Sequence, residues 1–446
     1  MKNLTRFVFA AAICAVFAQF AFAQNLDRIE RGRLKDMLAS VKSSIKKNYY
    51  DANFRGIDLD ARFAKAEARM DEVSSLGQGF AVIAQVLMEF NDSHLYFMPP
   101  ETTTSVDYGL RMKAVGDKVF VTSVRPKSDA EAKGLKAGDE ILKLEGFRPN
   151  RKELWKMVYY YYTLSPRTKL NLTVAHASGG DPADIEIAAK IRTKSRILNL
   201  TNTFDLNDVI RDSDNRAERN INYFAKNSNF VIWKMMTFSI EPTEIERLIK
   251  TEVGQGRNVI LDLRGNGGGY VKSLEELAGF FFDKDMKIAD RKGREEKKKE
   301  NEPMTFKSRG ANALNGKLIV LIDSQSGSAS EIFARFVQLE KRGTVIGDVS
   351  AGAVMQSMSM GMKITSGMNN EIHYGASVTN ADVIMSDGKS VEHVGVTPDK
   401  LMLPTAEDLL KQRDPVLSHA VELLGGKLTP EEAGKLFSKA EEWDDR

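Results

Sequence analysis

Two uninterrupted apolar runs in the second half of the chain constrain its fold more than any other feature. The run "NVILDL" (258–263) leads into the glycine-rich "RGNGGG", and the run "KLIVLIDS" (317–324) leads into a segment with helical spacing. Strands that are apolar on both faces are typical of parallel sheets covered by helices. Strands and helices alternate in this way from about residue 193, which predicts an α/β core built from crossover units.

The first 24 residues have the features of a secretory signal. Two cations, Lys2 and Arg6, precede a long apolar stretch that ends in "AFA". A motif of this A-x-A type is a processing site, so we predict a signal peptide over residues 1–23 and export to the periplasm or the medium. An uncleaved membrane anchor is the alternative, because the stretch approaches the ~17 apolar residues that can span a bilayer.

Composition excludes several classes of function for the mature chain. The single cysteine, Cys14, lies inside the predicted signal, which excludes disulfides, thiolate zinc sites and a cysteine nucleophile from the rest. Loss of Lys2 and Arg6 lowers the formal net charge from +3 to +1, which gives no electrostatic basis for nucleic-acid binding. No set of His, Asp and Glu residues has metal-ligand spacing, so we predict no metal and no other cofactor.

The rest of the chain divides into three regions by pattern. Residues 24–100 have helical periodicity, as in the apolar stripe of "GFAVIAQVLMEF" (79–90). Residues 104–192 contain short β-rich runs separated by glycine turns. Residues 193–446 hold the α/β core and end in a charged helical tail.

Two local patterns in the core also make structural predictions. Thr243 and Glu246 have the spacing of a capping box, which predicts that a helix begins there. The run "DRKGREEKKKENE" at 290–302 carries charges of both signs, which favours a solvated loop or mobile flap over a binding patch.

Ser328 and Ser330 stand where the second apolar strand meets its helix. Backbone N–H groups at a helix N-terminus favour a developing oxyanion, although helix capping alone accounts for a serine there. The glycines of "RGNGGG" allow close backbone approach and expose further N–H groups. If the two strands are parallel neighbours, both loops lie at one edge of the sheet and can form one site.

Three motifs in this order resemble a known family. The stretches "LDLRGNGGG", "SGSASE" and "VEHVGVTPD" (391–399) follow a PDZ-like segment. Together they are similar to the C-terminal processing (tail-specific) proteases and their relatives, the tricorn core protease and the retinoid-binding repeats. The resemblance covers most of the mature chain. It implies a crossover β/α protease core of the ClpP/crotonase-like type, with an inserted PDZ-like domain and a helical N-terminal segment.

The PDZ-like segment is carried by "AEAKGLKAGDEILKLEG" (130–146), which is similar to the helix, turn and strand of such domains. In the family, this domain adds a peptide C-terminus to its sheet, and backbone N–H groups of a loop hold the carboxylate. By position, that loop is Tyr108, Gly109 and Leu110. The alternative is a domain that only gates or supports the core.

The resemblance also implies which side chains perform chemistry. Tail-specific proteases activate their serine with a lysine, but Ala353 stands at the expected position and cannot accept a proton. "NDSHLY" instead matches the serine–histidine pair of the tricorn type, giving Ser93 and His94, and Glu392 matches its glutamate. Ser328 would attack, and His94 would take its proton. Ser93 and Glu392 would orient the imidazole.

By the same resemblance, the oxyanion donors are the N–H of Ala329 and one from Gly267 or Gly268. His393, although it adjoins Glu392, is expected to point to the opposite face if that segment is extended.

The sequence thus predicts an exported serine peptidase that cleaves proteins or peptides near their C-termini by acyl transfer through Ser328. Its partners would be protein or peptide substrates, with no nucleic acid and no stable membrane span after signal cleavage. The alternative is a non-catalytic protein that binds a peptide or an apolar ligand on the same fold, and the missing lysine keeps this alternative open.

Overall fold

The computed structural model describes residues 26–101, 104–193, 222–366, 370–438 and Trp443. The predicted signal peptide, residues 1–23, lies outside these ranges. Among the described helices, none is long and apolar enough to cross a membrane.

The N-terminal region is a layer of helices followed by a short strand. Its elements are α1 (Arg28–Asn48), a 3-10 turn (Phe54–Gly56), α2 (Leu59–Arg69), α3 (Leu76–Met88) and β1 (Tyr96–Met98). The apolar stripe predicted within 79–90 is buried at Phe80, Ile83 and Leu87, which confirms the helical period. These side chains pack with those of α1 and α2 in one apolar cluster.

The next region is β-rich. It contains β2 (Thr104–Asp107), β3 (Leu110–Val115), β4 (Lys118–Val124), α4 (Asp129–Ala132), β5 (Glu140–Leu144), α5 (Leu154–Val158), a π-helical turn (Tyr159–Leu164), β6 (Lys169–Ala175), β7 (Ala183–Ala188) and β8 (Lys190–Thr193). Strands β3 to β7 form an antiparallel sheet in chain order, so β3 is an edge strand. Strands β2 and β8 pair with each other at the entrance and exit of the region.

The remaining elements form the core. They are β9 (Asn222–Lys226), β10 (Phe230–Met235), α6 (Pro242–Leu248), a π-helical turn (Ile249–Val253), β11 (Asn258–Asp262), α7 (Val271–Phe281), β12 (Met286–Lys292), a 3-10 turn (Lys298–Asn301), β13 (Met304–Phe306), a 3-10 turn (Gly310–Asn312), β14 (Leu318–Ile322), α8 (Ala329–Leu339), β15 (Thr344–Gly347), β16 (Met355–Ser366), β17 (Asn370–Met385), β18 (Lys400–Leu401), α9 (Ala406–Leu410), α10 (Pro415–Leu423) and α11 (Pro430–Lys435).

The main sheet of the core has the order β18-β15-β14-β11-β10-β9. Its strands are parallel except for β9, which runs antiparallel to β10. Apolar side chains of α6, α7 and α8 cover one face, and those of α10 cover the other. Burial on both faces explains why the central strands are apolar at successive positions, and it confirms the predicted α/β core with parallel strands.

A second sheet joins the N-terminal region to the core. Its order is β1-β17-β12-β13, with β16 also paired to β17. Strand β1 lies antiparallel to β17, with Tyr96 opposite Ser377. Just before β1, the buried carboxylate of Asp92 accepts hydrogen bonds from the Tyr49 hydroxyl (2.9 Å) and the Thr379 hydroxyl (2.7 Å). The segment that precedes β1 is therefore fixed against the core.

One local prediction was wrong, because the helix does not begin at the predicted capping box. Helix α6 begins at Pro242 with Glu241 as its N-cap and no side-chain cap, because proline is already favoured at the first helical position, so Thr243 does not start the helix. Beyond β12, the charged run at 290–302 consists of exposed or half-buried turns and a 3-10 turn, which agrees with the predicted solvated loop. It continues β12 and packs on the end of α1, where Arg294 donates to the carbonyl of Tyr49 (2.6 Å).

A buried ion network holds the strand end that precedes the glycine loop. Arg264 contacts both Asp262 and Asp414 at 2.7 Å, and Asp414 in turn caps α10. Burial raises the pKa of Asp262, but the charges of Arg264 and Lys234 outweigh it and hold this pKa below its ordinary value. The network ties the end of β11 to the helix on the outer face of the sheet.

Replacement of Arg264 should therefore destabilise the protein strongly. Arg264→Ala leaves the fully buried carboxylate of Asp262 with only Lys234, at 3.5 Å, as an opposite charge. We expect a loss of about 3–5 kcal/mol in the free energy of unfolding, measured by urea denaturation. Lys250→Ala is the matched control, because it breaks an exposed pair with Glu246 and should leave the midpoint nearly unchanged. Equal midpoints for the two variants would contradict this role of Arg264.

Candidate active site

The parallel pairing of β11 with β14 brings two loops to one edge of the main sheet. The glycine loop follows β11, and the turn that carries Ser328 follows β14. At Gly268, which has φ +104°, an added Cβ would lie 2.6 Å from the Cβ of Ser328. Only glycine allows this approach, so the glycine loop contacts the serine turn directly.

Ser328 lies directly before α8 in an unusual backbone conformation, with φ 50° and ψ −116°. Its N–H donates to the carbonyl of Ala353 (2.9 Å) and to Oε2 of Glu331 (3.0 Å). A positive φ is uncommon for a residue with a Cβ and persists only where neighbouring contacts enforce it. These contacts direct the serine side chain out of the helix start and towards the N-terminal region.

The four predicted catalytic side chains form one chain of polar contacts. Nε2 of His94 lies 3.4 Å from Oγ of Ser328, and Nδ1 of His94 lies 2.8 Å from Oγ of Ser93. The Ser93 hydroxyl donates to Oε2 of Glu392 at 2.8 Å. Residues from three separate parts of the sequence are thus brought together at the edge where the loops meet.

The backbone around this chain holds Glu392 in place. Its Oε1 accepts the N–H of Ser93 (2.9 Å), and its Oε2 accepts the N–H of Val354 (2.8 Å). His393 does not point away as expected. It has φ +63°, so the segment turns rather than extends, and its Nε2 lies 3.3 Å from Oε1 of Glu392.

The environment of His94 favours the neutral imidazole. Burial lowers its pKa, and the charges of Glu392 and Asp92 offset only part of this effect. A neutral imidazole with Nδ1 facing the Ser93 hydroxyl can keep Nε2 unprotonated and available to Ser328.

Glu331 is a polar residue at the site that the sequence patterns did not indicate. Its carboxylate is fully buried and accepts four hydrogen bonds, from the Ser350 hydroxyl (2.5 Å) and from the N–H groups of Gly352 (2.7 Å), Ala353 (2.9 Å) and Ser328 (3.0 Å). Burial raises its pKa to about 7, although the hydrogen bonds act to lower it. The Ser-x-x-Glu spacing from Ser328 to Glu331 was the available signal, but it also describes an ordinary helix cap.

Asn266 is the second residue that was missed, and it bears on the oxyanion prediction. Its side-chain oxygen accepts the N–H of Gly268 at 2.9 Å, and its backbone carbonyl accepts the N–H of Gly327 at 2.9 Å. Because the Gly268 N–H already has an acceptor, the geometry favours Gly267 over Gly268 as the partner of Ala329.

The predicted peptide-binding loop lies at the start of β3. Tyr108 is buried, and its hydroxyl lies 2.9 Å from the carbonyl of Arg167. The N–H of Gly109, at φ +71°, donates to the side chain of Asp107 at 2.9 Å. Leu110 begins the edge strand itself. The side chain of Tyr108 therefore supports the domain, whereas Gly109 and Leu110 lie at its sheet edge.

Within the described ranges, no group of three or more His, Cys, Asp or Glu side chains is arranged to hold a metal ion.

Substitution of Glu392 should change the titration of His94 in a defined direction. The charge of Glu392 raises the His94 pKa, so Glu392→Gln should lower that pKa further while preserving side-chain shape. The measurement is the pH dependence of the His94 ring signal by NMR, assigned by its loss in His94→Ala. The signal of His419, which lies beside Glu422 on α10, is the internal control and should be unaltered. An unchanged or raised His94 pKa would show that Glu392 does not act on the imidazole.

Comparisons with known proteins find two family matches within the chain. Residues 233–402 match the model of peptidase family S41, and residues 106–189 match the model of a PDZ domain. The tail-specific protease of Haemophilus influenzae is 27% identical over 288 residues, which are 60% of this chain and 38% of that protein. The carboxy-terminal processing protease CtpB of Bacillus subtilis is 28% identical over 295 residues, which are 63% of this chain and 55% of that protein. The chain thus spans well under two thirds of the length of these relatives.

Among solved structures, that of mature CPAF superposes with a TM-score of 0.61 at 13% identity, covering 85% of this chain and 94% of that one. At this identity the match concerns the fold alone, which is a mixed α/β fold. The predicted resemblance to C-terminal processing proteases with a PDZ domain is confirmed by the family models and the named relatives. This chain is therefore similar to peptidase family S41 over residues 233–402 and to PDZ domains over residues 106–189.

Proposed function

We propose that this chain is a serine peptidase that cleaves proteins or peptides near their C-termini. The observation that carries the proposal is the continuous polar contact from Ser328 through His94 and Ser93 to Glu392. The family S41 match and the relatives named as tail-specific and carboxy-terminal processing proteases support the same reaction.

The order of the contacts defines a proton path. The Ser93 hydroxyl has one hydrogen and donates it to Glu392, so its lone pair accepts Nδ1–H of His94. This leaves the lone pair of Nε2 facing the Ser328 hydroxyl. When Ser328 attacks a peptide carbonyl, His94 takes the serine proton, and Glu392 offsets the imidazolium charge through Ser93.

The remaining steps follow from the same groups. The N–H groups of Gly267 and Ala329 are the proposed donors to the oxyanion of the tetrahedral intermediate. His94 then returns its proton to the leaving amine, and an acyl-enzyme on Ser328 remains. A water molecule, deprotonated by His94, attacks this ester and releases the new C-terminus. The Ser328–His94 distance of 3.4 Å is long for a hydrogen bond and is expected to shorten when substrate binds.

We extend the proposal to domain organisation and location. The units would be a signal peptide at 1–23, a helical region at 24–100, an inserted PDZ-like domain at 104–192, and a ClpP/crotonase-like serine protease core at 193–446. The A-x-A motif in the first 24 residues supports export to the periplasm or the medium. The helices that cover both faces of the parallel sheet support the crossover core.

The alternative of a non-catalytic binding protein rests only on Ala353, where tail-specific proteases carry lysine. Its backbone carbonyl accepts the N–H of Ser328 at 2.9 Å, so the position supports the serine turn without a basic side chain. His94 supplies the missing proton acceptor from another part of the chain, which favours the peptidase.

Removal of either reacting side chain should abolish cleavage. We expect Ser328→Ala and His94→Ala to lower kcat/KM on an unfolded protein substrate by at least about 10³-fold, because the nucleophile or its base is lost. Fragments would be identified by mass spectrometry, with residues 24–446 as the parent protein. Activity should also fall at acid pH, where His94 becomes protonated, because burial lowers the pKa of this imidazole below its ordinary value.

Matched controls are Ser228→Ala in an exposed turn and His419→Ala on α10, which should leave the rate unchanged. Full cleavage by Ser328→Ala would overturn the mechanism. A parent protein that binds but never cleaves peptides, at several pH values, would favour the binding alternative.

Glu331 should act as a positioning residue for the serine turn. Glu331→Gln keeps the shape but turns an N–H₂ group towards backbone N–H donors, and such a mismatch costs about 1–3 kcal/mol. We expect kcat/KM to fall by about 10–100-fold with KM little changed, because the substrate does not contact this carboxyl. The parent should also lose activity as Glu331 is protonated below about pH 7, and the variant should lack this inflection. An unaltered pH profile in the variant would contradict the role.

A further inference from the structure

Trp443 contacts two arginine side chains of the PDZ domain. The guanidinium of Arg111 lies 4.4 Å from the centre of the indole ring, and that of Arg125 lies 4.5 Å from it. Both distances are well inside the ~6 Å range of a cation–π contact, and tryptophan is the aromatic side chain that binds cations best. The indole, which is half-buried, is therefore held by two cations at once.

The two arginines lie at the sheet edge where a PDZ domain takes up peptides. Arg111 is the second residue of β3, the edge strand, and is opposite Ser123 of β4. The backbone N–H of Arg125 donates to the carbonyl of Gly109 at 2.8 Å, directly before this strand. The Arg125 side chain is fixed by Asp107, at 3.0 Å. PDZ domains bind extended peptides along such an exposed edge, so the Trp443 contact lies at the start of the expected peptide path.

The last described residues before Trp443 belong to the core. Phe437 packs at the edge of the cluster beneath α10, with its ring 6.4 Å from that of Tyr223 on β9. In the sequence, Trp443 stands within "EEWDDR", with two acidic residues on each side. An aromatic residue flanked by carboxylates is complementary to a pair of arginines in both shape and charge.

We propose that Arg111 and Arg125 form a recognition site for an aromatic side chain flanked by acidic residues, and that Trp443 occupies this site within the same chain. Binding at this site does not depend on the proposed function. The further step, that acidic peptides with an aromatic residue are preferred substrates, rests on the proposed peptidase activity. A peptide of this chemistry must displace Trp443 before it reaches the edge of β3. Because Trp443 is part of the same chain, its effective concentration at the site is about millimolar. A free peptide therefore binds more weakly until Trp443 is released.

The test measures binding without cleavage. A fluorescently labelled peptide "SKAEEWDDR", residues 438–446, is titrated with protein that carries Ser328→Ala, and fluorescence anisotropy reports its affinity. Adding Trp443→Ala to the protein should tighten binding of the peptide by at least about tenfold, since the tethered competitor is removed. A peptide with alanine in place of tryptophan should bind this double variant at least about tenfold more weakly.

Two further variants locate the site. Arg111→Ala, added to Ser328→Ala and Trp443→Ala, should reduce affinity for the peptide by about tenfold or more. Lys118→Ala is the matched control, because this cation lies on the neighbouring strand and pairs with Glu140 at 2.8 Å. The proposal would be overturned if the peptide bound equally well with and without Trp443 in the protein. It would also be overturned if replacing either the peptide tryptophan or Arg111 left the affinity unchanged. Because Ser328 is absent, failure of the proposed peptidase activity could not produce these outcomes.

Discussion

The parallel pairing of β11 with β14 is the constraint on which the whole site depends. Parallel neighbours end at the same edge of a sheet, so the glycine loop and the serine turn must meet there. This close approach requires glycine at position 268, because a Cβ there would clash with the Cβ of Ser328. The second sheet then brings Ser93 and His94 to this edge through the pairing of β1 with β17. Two sheets, rather than one, bring Ser328 and His94 together.

Two buried carboxylates hold the assembled groups in different ways. Glu331 accepts hydrogen bonds from N–H groups of the serine turn and of the loop around Ala353. These bonds hold Ser328 at its positive φ. Glu392 accepts the N–H of Val354, the next residue along that loop, and it also contacts Ser93 and His393. The short loop between the two carboxylates is therefore bound at both ends. The strained backbone of Ser328 is held by hydrogen bonds to carboxylates, which are the strongest kind available to a backbone N–H.

The sequence predicted those features that burial imposes on the residue pattern. It did not predict features that depend on contacts between distant parts of the chain. Continuous apolar strands predicted the parallel sheet, because only burial on both faces explains them. Ser93 and Glu392 lie 299 residues apart in the sequence, so residue spacing cannot predict their contact. Only the family resemblance predicted it. Glu331 was missed because its spacing from the serine is that of a common cap. The turn at His393 was missed because a positive φ in a residue with Cβ leaves no signal in the sequence.

Strand β3 connects the PDZ domain to the glycine loop beside Ser328. Its first half carries Arg111 and the Trp443 contact, whereas Lys113, two residues further on, pairs with Asp323 at 3.1 Å. The other oxygen of Asp323 accepts the N–H of Gly265 in the glycine loop at 2.9 Å. Peptide binding at one end of β3 can change the site at the other only if peptide and Trp443 favour different placements of this strand. The peptide and Trp443 would compete for the same edge of β3. Replacement of Trp443 by the peptide is therefore the event that could move this strand from one placement to the other.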